Sequence, residues 1–280
     1  MTKVRVAPSL GELERSFESA WGLETYNPVT DINEETVFVG LYGLPDFYTV
    51  WKHQGQKYVW WCGTDITNFV NGYWLDTVGS IRLSPKSIAT WLNANCEHWV
   101  ENEVEQLALK KAGIDSQVCP SFLGNINDYK ISYKWSNNPK IYTSVSGDDF
   151  ELYRWNEIPS LAIKYPDIEF HLYGNTKQFP IVIPSDLMPL ENIFIHGRVS
   201  KEQMNNEIKE MQGALRLTRM DGFSEILAKS VLWGQWPVSV INYPFMLKVS
   251  EIKLLKDIQE ANIEGRDYYR KILNKYPWVK

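Results

Sequence analysis

Cysteine, histidine, long apolar runs and excess positive charge are all scarce in this 280-residue chain, and each scarcity excludes something. Cys62, Cys96 and Cys119 are odd in number, widely spaced and free of any Cys-x-x-Cys or paired histidines. Neither a disulfide framework nor a zinc site is therefore expected, and the three read as buried free thiols. The four histidines, His53, His98, His171 and His196, are scattered, with His53 the first candidate for chemistry because it lies near glycine-bearing loops. No run of about eighteen apolar residues exists, as a membrane-spanning helix would need. The opening MTKVRVAPSLGELERSFESAW lacks the apolar centre of a signal peptide, so a cytoplasmic location is expected. With 29 Lys and Arg against 34 Asp and Glu, the net charge of -5 gives no general attraction to nucleic acid or to an anionic membrane.

What is present is apolar and alternating. A chain that is 44% hydrophobic with 12 tryptophans can bury one or two sizeable cores. Thr36 to Gly40 reads as a strand, followed by the loop Leu41-Tyr42-Gly43-Leu44-Pro45-Asp46 and a helix over Phe47 to Gln54. Lys57 to Cys62 is an apolar strand without alternation, as inside a parallel sheet, and Gly63-Thr64-Asp65 closes it. Glu97 to Val100, a helix from Glu101-Asn102 to Ala112 and a strand over Ser116 to Cys119 continue the succession. Ser121 to Pro139, rich in Asn and turn residues, reads as a linker. Beyond it come a strand at Lys140 to Val145, a turn at Ser146-Gly147-Asp148-Asp149, a helix over Tyr153 to Tyr165, strands at Ile168 to Tyr173 and Ile193 to His196, and a helix from Ser200. Ser250 to Tyr276 makes one or two amphipathic helices with a break near Asn262 and an apolar stripe of Leu254, Ile258, Ile263, Tyr269 and Leu273. Strands alternating with helices predict parallel sheets covered on both faces, with ligands expected at the carboxyl ends of the strands.

The most informative stretch is Arg216 to Val238, RLTRMDGFSEILAKSVLWGQWPV. A short buried strand is broken at Asp221-Gly222, a helix opens at Ser224 with Ile226, Leu227, Ser230 and Val231 on one face, and Gly234 ends it. A helix N-terminus beside Arg216 and Arg219 suits a phosphate or diphosphate.

This stretch resembles the donor-binding motif of the GT-B nucleotide-sugar glycosyltransferases, P-S-x-x-E-G-F-G-x-x-x-x-E-A followed by G-x-P-V. Thr218 stands at the Ser, Asp221 at the first Glu, Gly222-Phe223 match, Ser224 replaces Gly, and Gly234-x-Trp236-Pro237-Val238 is similar to the closing element. Lys229 stands at the second Glu, which in the family holds the ribose; a lysine cannot accept those hydrogen bonds. Its ammonium either pairs with Glu225, four residues earlier, on a solvated face, or meets a donor phosphate. Residues 140 to 245 resemble the family's donor domain, but the Arg and Lys that usually follow its first strand are absent. Arg198 and Arg216 are the preferred replacements, ahead of Arg154 and Arg219. Gly63-Thr64-Asp65-Ile66 resembles the Gly-Ser-Asp loop of the amino-terminal domains, with Asp65 either capping the next helix or contacting substrate. Trp51, Trp60, Trp61, Trp74, Trp91 and Trp99 could form a sugar-stacking surface or simply core.

The resemblance implies two Rossmann-like α/β domains with parallel sheets facing across a cleft, over 1-135 (acceptor) and 136-280 (donor), the final helix returning to the first. It further implies a metal-independent, retaining hexosyltransferase-like enzyme with no cofactor beyond the nucleotide sugar as co-substrate. Asp221 is then the catalytic candidate. Arg198, Arg216, Thr218, Arg219, Gly222, Phe223, Ser224 and Lys229 are the donor-binding set, and Gly40, Gly43, Asp46, Gly63 and Asp65 the acceptor-side loops. The acceptor is open. A catalytically inactive binding module and a sugar-nucleotide epimerase are the alternative readings.

Overall fold

The protein is described from a computed structural model, over residues 2-72, 84-145, 148-177, 190-219 and 221-279. Trp74 and the Ser146-Gly147 turn lie outside those residues. Two compact units are present: residues 1-125, 220-223 and 272-280 form the first, and 126-219 and 224-271 the second.

The first unit is built on a six-stranded sheet, every pairing parallel, as the alternation predicts. Its strands are β1 (Lys3–Val6), β2 (Glu24–Thr25), β3 (Thr36–Val39), β4 (Lys57–Trp60), β5 (Glu97–Val100) and β6 (Gln117–Val118), in spatial order β2-β1-β3-β4-β5-β6. β3 and β4 are buried along their whole length, which is why neither shows a period of two. Between them the helices α1 (Glu14–Trp21), α2 (Leu44–Lys52), α3 (Thr64–Val70), α4 (Pro85–Asn95) and α5 (Glu103–Lys111) cover the sheet. One face is an aliphatic and aromatic core around Phe38, Val59, Trp61 and Leu92. The other is an aromatic nest of Phe17, Trp21, Trp60, Trp99, Tyr276 and Trp278, so the chain's last residues complete a core begun by its first. The Tyr276 hydroxyl accepts from Trp60 Nε1 at 2.9 Å and donates to the Cys119 carbonyl at 2.6 Å, giving this buried phenol both its partners.

In the second unit β7 (Lys140–Ser144), β8 (Glu169–Tyr173), β9 (Ile193–Gly197), β10 (Gly213–Arg216), β11 (Val238–Ser239) and β12 (Leu247–Lys248) form another all-parallel sheet, in order β12-β11-β10-β7-β8-β9. This is the Rossmann order, with its reversal between β7 and β10. The helices are α6 (Ile158–Lys164), α7 (Lys201–Ile208), α8 (Glu225–Leu232) and α9 (Ile263–Ile272).

Two helix expectations need correction. The helix expected from Tyr153 is a 3-10 turn at Trp155–Glu157 leading into the shorter α6, with Arg154 in the left-handed region (φ 55°) and Pro159 in the first turn. Proline fits a helix start but not its interior, which sets the boundary. Val249–Lys256 is wound as 3-10 rather than α. Val249, Ile252 and Leu255, three residues apart, reach the core while Leu254 and Ile263 are exposed. A period of three is that of the 3-10 helix. Asn262 does open α9, its Oδ1 accepting from the Gly265 amide at 3.1 Å.

Candidate functional site

The reversal of strand order between β7 and β10 leaves a gap in helix cover at their carboxyl ends, where doubly wound sheets bind ligands. Arg216 closes β10 and is buried: its Nη1 donates to the Ser144 carbonyl at 3.2 Å and its guanidinium lies 4.3 Å from the centre of the Tyr153 ring. Stacking and hydrogen bonding fix the plane of this cation, as recognition of a phosphate requires. Thr218, two residues on, is 4% exposed, and its Oγ1 is buried without a hydrogen-bond partner among the described residues. A buried hydroxyl in that state calls for explanation, and a ligand oxygen would supply one. Arg198 and Arg219 are exposed, and Arg154 pairs with Glu157.

Helix α8 begins at Ser224, whose side chain makes no cap hydrogen bond. Ile226 to Leu232 are all buried, so the helix is enclosed rather than amphipathic. It is held from below: Ser230 Oγ accepts from the Ala214 amide at 3.1 Å, and the Tyr142 hydroxyl donates to Gln235 Oε1 at 3.0 Å. Lys229 is consequently not on a solvated face. It is 5% exposed, with its ammonium 3.7 Å from Glu225 Oε1, and burial pushes its pKa down against the pull of Glu225. Removing one member of an ion pair is costly where the other is left buried, but the Glu225 side chain is 36% exposed and keeps water around its carboxylate. Lys229→Met is therefore expected to melt within a few degrees of wild type, and to leave nucleotide affinity unchanged if the pair with Glu225 is all that the ammonium does.

The Asp221-Gly222-Phe223 turn belongs to the first unit. Asn102 Nδ2 donates to the Asp221 carbonyl at 2.6 Å, and Glu101 accepts from the Phe223 amide. A Cβ on Gly222 would stand 1.7 Å from Glu101 Oε2. Only glycine fits there. Beneath the turn lie three buried carboxyls. Glu101 Oε1 accepts from the Ser121 amide at 3.0 Å and from its hydroxyl; Glu105 Oε2 accepts from the Glu101 amide at 2.9 Å. Asp65 accepts from the amides of Leu41 (2.9 Å), Cys62 (2.8 Å) and Ile66 (2.8 Å). Burial raises all three pKa values, that of Asp65 to about 7 despite its amide donors, and mutual repulsion adds to the rise for Glu105.

Asp65 is thus wholly buried, joining the loops after β3 and β4. Gly63, before it, takes φ 83°, and a Cβ there would approach Glu105 Oε1 to 3.1 Å. Asp46 lies in the first turn of α2, pairing with Arg5 and accepting from the Tyr42 amide at 2.9 Å; Gly40 follows β3, and Gly43 precedes α2. His53 is a core residue: its Nε2 donates to the Glu34 carbonyl at 2.8 Å and its Nδ1 accepts from the Tyr26 hydroxyl at 3.2 Å. Trp60, Trp61 and Trp99 are core, Trp91 packs against it, and Trp51 alone of the described candidates is largely exposed.

No protein-family model matches the sequence, and no curated protein does. Solved structures do match. Sucrose-phosphate synthase from Thermosynechococcus elongatus aligns with a TM-score of 0.58 at 11% identity, over 95% of this chain and 73% of that one. HepE from Anabaena, solved with UDP and glucose, aligns with a TM-score of 0.52 at 10% identity, over 97% and 95%. The fold is GT-B. TarM also matches (TM-score 0.56, 13% identity), where this GT-B chain covers 88% of itself but spans only 53% of TarM.

Sequence reading missed two polar groups of this GT-B chain. One is Glu101 with Glu105, for which Glu-Asn-x-x-Glu at a helix start was the available signal: Asn102 Oδ1 caps α5 by accepting from the Glu105 amide at 3.0 Å. The other joins His171 and His196, 25 residues apart, through Nδ1 and Nε2 at 2.9 Å. Glu169 lies 3.2 Å from His171, and Glu207 lies 3.6 Å from His196 while accepting from the Tyr173 hydroxyl at 2.7 Å. The period of two in Glu169, His171 and Tyr173 placed these three on one face of β8. Among the described residues no group of three or more His, Cys, Asp or Glu is arranged to hold a metal ion, and no helix is long and apolar enough to cross a membrane.

Proposed function

We propose that this chain transfers a sugar from a nucleotide-diphosphate sugar to an acceptor, binding the donor at the carboxyl ends of β7 and β10. The observation that carries the reading is the buried Thr218 hydroxyl, without a hydrogen-bond partner among the described residues, two residues after the fixed Arg216, at the reversal of a Rossmann sheet and ahead of α8. The donor motif read from the sequence falls on these same residues, and one GT-B neighbour was solved with UDP and glucose. On this reading the leaving diphosphate takes the electron pair of the bond to the anomeric carbon and is stabilised by Arg216, Thr218 and the N-terminus of α8. Asp221 orients the sugar or steadies the charge developing at that carbon. The reaction is retaining and metal-independent, and the protein works in the cytoplasm.

A thermal-shift titration with UDP, GDP, ADP, CMP and their common sugars, on wild type and Arg216→Lys, tests this. Selective stabilisation by one nucleotide is expected, weakened about tenfold in the lysine variant, which cannot reproduce the planar, stacked contact. Lys229 favours a second reading, a binding module without transfer, because a buried cation stands where a ribose-binding carboxylate is usual. Nucleotide binding without turnover of any nucleotide sugar would mark that case.

A further inference from the structure

We propose that Asn102 and Glu101 are positioning residues for the Asp221-Gly222-Phe223 turn, Asn102 holding the Asp221 carbonyl and Glu101 the Phe223 amide, so that the turn that carries Asp221 is held in place by the residues between the first unit's own β5 and α5. The proposal rests on the donor-binding reading above for what the turn does, and on geometry alone for how it is held. Each holding group is itself fixed. Asn102 is buried and spends its Oδ1 on the Glu105 amide, which orients its Nδ2 toward Asp221 at 2.6 Å. Glu101 is buried and tethered by the Ser121 amide and hydroxyl through Oε1, leaving Oε2 under Gly222. The turn therefore sits on a seat whose shape is complementary to a glycine. The peptide groups on both sides of Gly222 are engaged, through the Asp221 carbonyl and the Phe223 amide, so the backbone that leaves the Asp221 Cα is held in place. Asp221 and Glu105 face Glu101 with charge of the same sign, and the Ser121 amide and hydroxyl and the Phe223 amide hold it in place.

Two variants separate seat from scaffold. Asn102→Ser keeps a side chain that caps α5 but is too short to reach Asp221. Glu101→Gln keeps shape while exchanging one acceptor oxygen for a donor. Amide hydrogen exchange of 222-224 is measured in the free protein, beside the melting temperature and the affinity for the nucleotide sugar that most stabilises wild type. Loss of one hydrogen bond predicts exchange about fivefold faster and affinity about fivefold weaker in each variant, with Asn102→Ser melting close to wild type. Unchanged exchange in both variants overturns the proposal, whether or not a nucleotide binds. Faster exchange with unaltered nucleotide-sugar affinity also overturns it, because the seat would then position nothing that the donor meets. A wild type that binds no nucleotide sinks the donor reading instead, and exchange alone then decides the seat.

Discussion

Gly222→Ala is expected to lower the melting temperature by several degrees and to cut any transfer activity about 100-fold. The added Cβ would stand 1.7 Å from Glu101 Oε2, and Glu101 cannot swing aside because it is buried and tied to Ser121. The turn must move instead. Overpacking of this kind costs about 1–3 kcal/mol, and a displacement near 1 Å at a reacting group can cost about 100-fold in rate. Melting and turnover of the variant check both numbers, and a variant indistinguishable from wild type in the two would contradict this account of the turn.

The second large effect is on pH. Asp65, Glu101 and Glu105 all hold their protons more tightly in the folded chain than an unfolded chain would, chiefly through burial. A carboxyl with a raised folded pKa binds more protons folded than unfolded between the two values, so stability falls as pH rises across that window. For Asp65 the window runs from about 4 in the unfolded chain to about 7, and the two glutamates act in the same direction. The slope approaches about 1.4 kcal/mol per pH unit for each proton held in excess. The melting temperature is therefore expected to drop between pH 5.5 and 8.5. Glu105→Gln, whose amide oxygen can still accept from Glu101, should flatten that drop and melt above wild type at pH 8.5. An equal slope in the two proteins would show that Glu105 does not titrate in this range.

Strand positions were the most legible part of the sequence. The runs of β3 and β4, without alternation, and the glycines after them follow from burial on both faces of a parallel sheet. The segment from β10 to α8 was also legible, since Asp-Gly favours a turn and here lies between a strand and a helix. β1 and β2 went unread because both are short: the Lys3-Val4-Arg5-Val6 alternation has a strand's period of two but spans only four residues, and β2 only two. Lys229 was misjudged because helix periodicity identifies one apolar face but says nothing of what covers the opposite one. That the buried carboxyls group together could not be read: Asp65 and Glu101 are 36 residues apart in sequence, and only the parallel pairing of β4 with β5 carries the loops that follow those strands to the same end of the sheet. Asp221 joins them through the backbone of a turn, and no spacing encodes that.

The central claim is that a nucleoside diphosphate binds at the carboxyl ends of β7 and β10. A crystal structure with the nucleoside diphosphate that gives the largest thermal shift tests it most directly. The account predicts phosphate oxygens within hydrogen-bond distance of Thr218 Oγ1 and of the first amides of α8, with the Arg216 guanidinium still stacked on Tyr153. A nucleotide bound elsewhere, with the Thr218 hydroxyl still unpartnered, would contradict it.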